Sequence, residues 1–255
     1  MKGIFEMQVK SHETAPMNWA VGMTTAPRMN STLSQSINNL KVAGWAQMRI
    51  FAEPGSSIPA NILGETSVSL RDQTLGAFPN WYLGLTELYL DNPHADAYLI
   101  CQDDIVMIRD TRQYLEECLW PATEIGVVSL YCPSHDHRDD ASGFLKVKSG
   151  WNTWGALAYI FSNPGVREFL SDLIVLNHRH HGPHQGLRNI DSIVGSWCER
   201  RQLPYFVHVP TLTQHIGRSS TIWKNNTNEG RRKAIKYDPR LLLTEPESQN
   251  DSISE

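Results

Sequence analysis

The run Ala95-Asp-Ala-Tyr-Leu-Ile-Cys101 is the clearest strand in the chain, and it passes directly into Gln102-Asp103-Asp104. A short apolar run of this kind is the pattern of a strand buried in a sheet. Two adjacent carboxylates at its end repel each other and are costly to hold away from water unless a cation or solvent offsets them. The chain must therefore bury a strand and still leave its carboxyl end open to a ligand, as open α/β sheets do.

The neighbouring segments agree. Trp19 to Thr25 is apolar and ends at Ala26-Pro27-Arg28, a strand stopped by a proline-containing loop. Asn30 to Leu40 carries cap residues and then Leu33, Ile37 and Leu40 at helical spacing, with Gly44 near the stop, and Gln47 to Ala52 is a second strand broken at Glu53-Pro-Gly55. Strand, helix, strand opens a right-handed βαβ unit. The turn-rich stretch Ile58 to Arg71 is expected to be loop with at most one short strand.

Further helices are expected at Asn80 to Leu90, about Thr111 to Leu119, from Asn163-Pro-Gly to about Val175, and from Asn189-Ile-Asp191 through Arg201. Strands are expected at Gly126 to Cys132, Gly155 to Phe161 and, last, Pro204 to Val209, with a polar loop through Lys148 and a histidine-rich loop from Asn177 to Gly186. The alternation predicts one α/β domain, residues 1–238, with a largely parallel sheet flanked by helices, and a polar, disordered tail over 239–255.

Composition narrows the partners. A chain of 255 residues suits one large domain, and a net charge of -4 argues against a general polyanion binder. Cys101, Cys118, Cys132 and Cys198 make no C-x-x-C pair and are expected to be reduced, mostly buried thiols. No apolar run approaches the roughly 18 residues that would span a bilayer, and Met1 to Ala15 lacks the order of a signal peptide, so a cytoplasmic protein with no membrane span is expected.

Several residues can carry chemistry. Asp103 and Asp104 suit Mg2+ or Mn2+, which takes one or two carboxylates, keeps several waters and joins them to substrate phosphates; the plainer reading is a solvated acidic turn. His215, just after the last predicted strand, can complete such a shell as a nitrogen ligand or be a structural imidazole. Asp191 is either an N-cap or a general base that takes a proton from a hydroxyl. Thr24, Thr25, Ala26 and Arg28 lie where the first strand ends, the usual ligand crevice of such sheets, where Arg28 can meet a phosphate or be an ordinary surface arginine. Arg71 and Asp72 are weaker candidates for base or ribose contacts. Trp151 and Trp154 can stack on a sugar or pack in the core. His178, His180, His181 and His184 lack zinc-ligand spacing and fit an acceptor-side loop better.

In order, Thr24-Thr25-Ala26-Pro27-Arg28, Gln102-Asp103-Asp104, Trp154-Gly155-Ala156, Asn189-Ile-Asp191 and Gln214-His215-Ile-Gly217 resemble the plan of GT-A glycosyltransferases over roughly Trp19 to Trp223. The acid pair resembles that superfamily's DxD motif, with Gln102 at the first position where Glu or Asp is commoner. The stretch ending at Ser220 is most similar to N-acetylglucosaminyltransferases of the IV type. The resemblance implies a GT-A, Rossmann-like fold and a metal-dependent inverting transfer from a nucleotide-diphosphate sugar, with UDP as the nucleotide. It also implies Asp104 and His215 as ligands of Mn2+ or Mg2+, Asp191 as base, and Asp103, Trp154 and Gly155 beside the donor.

Two rivals stand beside this reading. A sugar nucleotidyltransferase would open with a Gly-rich basic loop, which Ala26-Pro27-Arg28 is not, and in a non-catalytic carbohydrate-binding protein Asp191 would be only a cap. The acceptor is expected to be a glycan, a protein or a modified nucleic acid in a bacterial or viral setting. Lys224 and Arg231-Arg232-Lys233 allow the last of these.

Overall fold

The computed structural model describes residues 18–217 and 233–240. In chain order it contains β1 (Trp19–Thr25), α1 (Leu33–Val42), β2 (Arg49–Ala52), α2 (Ala60–Glu65), β3 (Ser67–Leu70) and α3 (Ala77–Asp91). These are followed by β4 (Ala97–Gln102), β5 (Ile105–Met107), α4 (Thr111–Cys118), β6 (Val127–Ser129), β7 (Gly143–Val147) and β8 (Ala158–Ser162). The chain continues through α5 (Asn163–Ser171), α6 (Leu173–His181), α7 (Ile190–Arg201), β9 (Tyr205–Val209) and β10 (Thr213–His215).

Eight strands form one sheet in the order β3-β2-β1-β4-β8-β6-β9-β7. All run one way except β7 and β8, whose pairings are antiparallel. Single-domain α/β architecture with a mostly parallel sheet is thus what the alternation of elements predicts. From β1 the chain adds β2 and β3 on one side and then returns through α3 to place β4 on the other. The carboxyl ends of β1 and β4 therefore flank the topological switch point, where open α/β sheets form their ligand crevice.

Strand β4 is buried on both faces because its side chains alternate between two cores. Ala97, Leu99 and Cys101 pack with Leu33, Ile37 and Leu40 of α1. Tyr98 and Ile100 pack on the opposite face with Trp81 of α3 and Trp197 of α7. There Trp81 and Trp197 each meet Phe169 edge-on, at 5.7 and 5.2 Å between ring centroids. Edge-on approach is a favoured geometry for aromatic pairs and here ties α3 and α7 to α5.

Several elements differ from the sequence expectation. The stretch 58–71 holds α2 and the edge strand β3, which pairs in parallel with β2 through Arg49 and Ser67; an edge strand half open to water needs no apolar alternation. The polar loop before Lys148 contains β7, the opposite edge, paired with β9. The strand expected from Gly155 begins at Ala158. The helix expected to reach Val175 stops at Ser171, because the Asp172 carboxylate accepts the Ile174 N–H at 2.8 Å and starts α6. His178, His180 and His181 are accordingly the last turn of a helix, and a short 3-10 turn, Pro183–Gly186, follows before the chain enters α7. A further strand, β10, follows β9. Residues 1–17, the stretch 218–232 with Lys224, Arg231 and Arg232, and the tail 241–255 lie outside the described residues.

His208 of β9 is buried, with Tyr114 of α4 donating its hydroxyl to Nε2 and Nδ1 donating to the Pro210 carbonyl, both at 2.7 Å. Burial pushes its pKa down from 6.5 to about 4. The native protein therefore refuses a proton that the unfolded chain accepts, and stability falls as pH drops from about 6.5 to about 4. That interval corresponds to roughly 3 kcal/mol for one group. Urea midpoints between pH 7 and pH 4 are expected to fall less for His208→Gln, which keeps the hydrogen-bonding atoms but does not titrate, than for the wild type.

Candidate active site

At the switch point Thr24 of β1 lies opposite Gln102 of β4 in register, and the acid pair comes next. The turn is built by hydroxyls from α1: Thr32 and Ser36 donate to the Asp103 carbonyl at 2.7 and 2.8 Å, and Ser36 also reaches the Ile105 carbonyl at 2.8 Å. Thr32 occupies the N-cap position of α1 but makes no side-chain cap there. Its hydroxyl serves the acid turn instead.

Both carboxylates are buried, Asp103 at 2% exposure and Asp104 at 0%. Arg28 spans them. Its Nη2 and Nε reach the two oxygens of Asp103 at 2.5 and 3.2 Å, and Nη1 lies 3.4 Å from Asp104 Oδ2. Thr25 adds a hydroxyl to Asp103 at 2.5 Å. Burial pushes the Asp103 carboxyl above the usual carboxylate range, against the pull of the guanidinium. Burial also works against the charge on Arg28, but the two carboxylates outweigh it and raise its pKa. The fork-on-carboxylate geometry is that of an ionised pair. Arg28 is thus no ordinary surface arginine.

A two-stranded ribbon brings in His215. Strands β5 and β10 pair antiparallel with His215 opposite Ile105, and the Ile216 N–H bonds to the Asp104 carbonyl at 2.9 Å. His215 Nδ1 lies 3.5 Å from Asp104 Oδ2. A Cβ at Gly217 would stand 2.5 Å from the same oxygen, so any side chain there would intrude on it. Among the described residues no group of three or more His, Cys, Asp and Glu side chains is arranged to hold a metal. Asp104 and His215 set one carboxylate beside one imidazole, two donor types that Mn2+ accepts.

A cavity of about 580 Å³ opens in front of this turn, the size of a small-molecule site. Thr24, Thr25, Ala26, Arg28 and Asp103 line it at the strand ends, and Leu187, Arg188 and Ile190 line it from the segment before α7. Glu53, at the end of β2, also lines it, and its two oxygens accept the Leu75 and Gly76 N–H groups at 2.9 Å each. Sequence reasoning passed over Glu53 as the break of a strand. The signal was present, since it is an acidic residue directly after an apolar run, as Asp103 is. Arg188 was missed because a lone arginine in a loop carries no pattern.

Asp191 follows Ile190 in α7 but is not itself among the residues that line the cavity. The N-cap position of α7 belongs to Asn189, and Asp191 is the second helical residue. The capping role is therefore not what holds it: its Oδ1 accepts the N–H groups of Ala156 and Gly155 at 2.5 and 3.3 Å. A Cβ at Gly155 would collide with the Tyr205 hydroxyl, which donates to Tyr159 at 3.1 Å and lies 3.3 Å from the Trp154 carbonyl. Burial holds both tyrosines well above the ordinary value, so both hydroxyls stay protonated behind the loop.

Trp154 is 44% exposed with His135 edge-on at 5.5 Å, and Trp151 is 43% exposed, so neither is a core residue. Arg71 does not line the cavity. It pairs with Glu87 and donates to Asn80 at 2.8 Å, tying α3 to the end of β3. Lys233, the described member of the basic cluster, is exposed. No helix among the described residues is long and apolar enough to cross a membrane.

No protein-family model matches the sequence, and no curated protein matches it either. Among solved structures it is similar to a Bacillus anthracis protein assigned as a glucose-1-phosphate thymidylyltransferase and crystallised with sucrose. The identity is 12%, the coverage 87% of this chain and 98% of that one, and the TM-score 0.48. That degree of likeness assigns neither activity nor ligand.

Removing Arg28 would leave two buried carboxylates without their guanidinium, a loss on the order of 3 kcal/mol or more. Arg28→Met is therefore expected to melt well below the wild type, and millimolar Mn2+ is expected to raise its midpoint more than that of the wild type. An equal response of the two proteins to Mn2+ would show that the carboxylates do not bind the ion.

Proposed function

We propose that the protein is a metal-dependent glycosyltransferase of the GT-A type that transfers a sugar from a UDP-sugar to an acceptor hydroxyl with inversion. The observation that carries the reading is the buried acid pair at the switch point, of which Asp103 lines a small-molecule cavity and Asp104 meets His215. An acid pair buried at this place, with an arginine across it, suits a site that handles phosphates and a divalent ion.

In this reading Thr24, Thr25, Ala26, Arg28 and Asp103 form the donor's side of the cavity, and Trp154 offers an aromatic face to a sugar. Asp104 and His215 would hold Mg2+ or Mn2+, which supplies neutralisation of the charge that gathers on a departing diphosphate. Asp191, held by the Gly155 and Ala156 N–H groups, takes the proton of the acceptor hydroxyl. The acceptor oxygen bonds to the anomeric carbon from the face opposite the diphosphate. The bond from that carbon to the diphosphate oxygen breaks, and its electron pair leaves with UDP.

Sugar nucleotidyl transfer remains the rival, and its products differ. With UDP-sugar and Mn2+, slow hydrolysis to UDP and free sugar, suppressed by EDTA, is expected of the wild type. Release of pyrophosphate from UTP and a sugar 1-phosphate would favour the rival. Asp104→Ala is expected to lose the EDTA-sensitive hydrolysis while folding normally. Asp191→Asn keeps the Oδ1 acceptor and is expected to cut acceptor-dependent turnover at least about a hundredfold with UDP binding little changed. Unchanged turnover would remove Asp191 as the base.

A further inference from the structure

We infer that Trp154 is the platform on which the acceptor lies, and that the acceptor is a neutral carbohydrate; the inference rests on the glycosyltransferase reading with Asp191 as base. Trp154 is 44% exposed, whereas Trp45, Trp81 and Trp197 are fully buried. It is not among the residues that line the cavity left for the donor. The backbone ties it to the base instead, because the next two residues, Gly155 and Ala156, donate their N–H groups to Asp191 Oδ1. Helix α7 thus begins with Ile190 on the donor's space and Asp191 bonded to the segment that carries Trp154.

That segment lies along one face of α7. Asp191, Gly195 and Glu199 follow one another at four-residue spacing and share that face. A Cβ at Gly195 would collide with Thr153 Oγ1 and with the Gly150 carbonyl, and a Cβ at Gly150 would stand 3.1 Å from Glu199 Oε2. Residues 150–156 therefore run back along the helix from Glu199 to Asp191, in contact at each turn. The segment is also closed on itself. The Gly150 N–H donates to Thr153 Oγ1 at 2.9 Å, the Thr153 N–H donates to the Gly150 carbonyl at 3.1 Å, and the Tyr205 hydroxyl lies 3.3 Å from the Trp154 carbonyl. An indole held open to water on so firmly fixed a backbone forgoes the gain of burial, and a ligand that stacks on it costs the chain little further freedom.

A pyranose ring suits this surface. One of its faces is a patch of C–H groups that an indole can cover, and its rim carries hydroxyls that need polar partners. His135 stands edge-on to Trp154 at 5.5 Å, and its Nε2 lies 3.5 Å from Asp136 Oδ2. A nucleobase also stacks on an indole, but it arrives with phosphates. The loop that carries His135 holds Asp136, Asp139 and Asp140 against Arg138, with Lys236 paired to Asp139, and Glu199 lies at the far end of the segment. Phosphates would meet an excess of carboxylates there, whereas sugar hydroxyls can donate to them.

Transfer in Mn2+ from radiolabelled UDP-glucose and UDP-N-acetylglucosamine tests this, with neutral oligosaccharides, single- and double-stranded DNA, and peptides containing Ser and Thr as separate acceptors. The wild type is expected to label an oligosaccharide and neither DNA nor peptide. Trp154→Ala is expected to raise the KM for that oligosaccharide at least about tenfold with the KM for the UDP-sugar little changed, and Trp154→Phe to recover most of the loss. Because the ring is exposed, both variants are expected to melt close to the wild type. An unchanged oligosaccharide KM in Trp154→Ala, or a rise in both KM values together, would show that Trp154 is not the acceptor's platform. Labelling of DNA or peptide in place of oligosaccharide, or hydrolysis of the UDP-sugar with no acceptor labelled, would overturn the carbohydrate assignment and leave the donor reading standing. A wild type that neither transfers from nor hydrolyses a UDP-sugar would remove the glycosyltransferase reading, and this inference with it.

Discussion

Two carboxylates next to each other, at the end of a strand with no exposed face, must be offset by positive charge or hydrogen-bond donors, or the strand cannot end where it does. Much of the surrounding structure answers that need. Arg28 reaches back from the loop after β1 to bridge both acids, and Thr25 adds a hydroxyl. Helix α1 lends Thr32 and Ser36 to the backbone of the acid turn. The β5–β10 ribbon then brings an imidazole and the backbone of Ile216 to Asp104. Each of these groups lies far from the acids in sequence, so the pair is a point where several distant segments are tied together.

The same constraint explains why the acid turn faces a cavity and is not sealed. A guanidinium on two buried carboxylates is well paired but costly to keep dry, and replacing such pairs with apolar groups often stabilises a protein. Retaining the pair at a switch point, beside a cavity of about 580 Å³, is easier to understand if the acids have a second partner in the working state. A divalent ion with phosphates is one such partner.

How much of this could be read from the chain depended on whether the signal was local. Strands β1, β4 and β9 and helix α1 were legible because burial on both faces, or on one helical face, leaves continuous or periodic apolar residues. Edge strands β3 and β7 were not, since Ser67, Ser69 and Lys146 alternate with side chains that are only partly covered. The division between α5 and α6 turned on one side chain, Asp172, which caps α6 and also pairs with Arg201 of α7 at 2.5 Å. That ion pair is a contact across 29 residues, and nothing nearby in sequence announces it. The acid pair, Arg28 and His215, which the structure brings together, were singled out from strand ends, and Asp191 from a helix start. Arg71 has the right residue type at a strand end, yet its guanidinium is drawn to Glu87 on α3 and away from the cavity.

Asp191 illustrates a compromise in the proposed site. Two backbone N–H groups fix one of its oxygens, and the loop that provides them is fixed in turn by Tyr205 and Tyr159 behind Gly155. Two donors on one oxygen fix the direction in which the carboxylate points, at the cost of its freedom to move with a ligand. Orientation is what the arrangement gains, and for displacement at an anomeric carbon that is the better choice. Such transition states resemble an oxocarbenium ion, as in glycoside hydrolysis. The acceptor hydroxyl becomes strongly acidic as its bond to carbon forms, so a weak base in the right place suffices, whereas a stronger base held loosely would lose the advantage of alignment. In that reading the tyrosine-backed loop serves to hold one side of the reacting centre still while the ligands change.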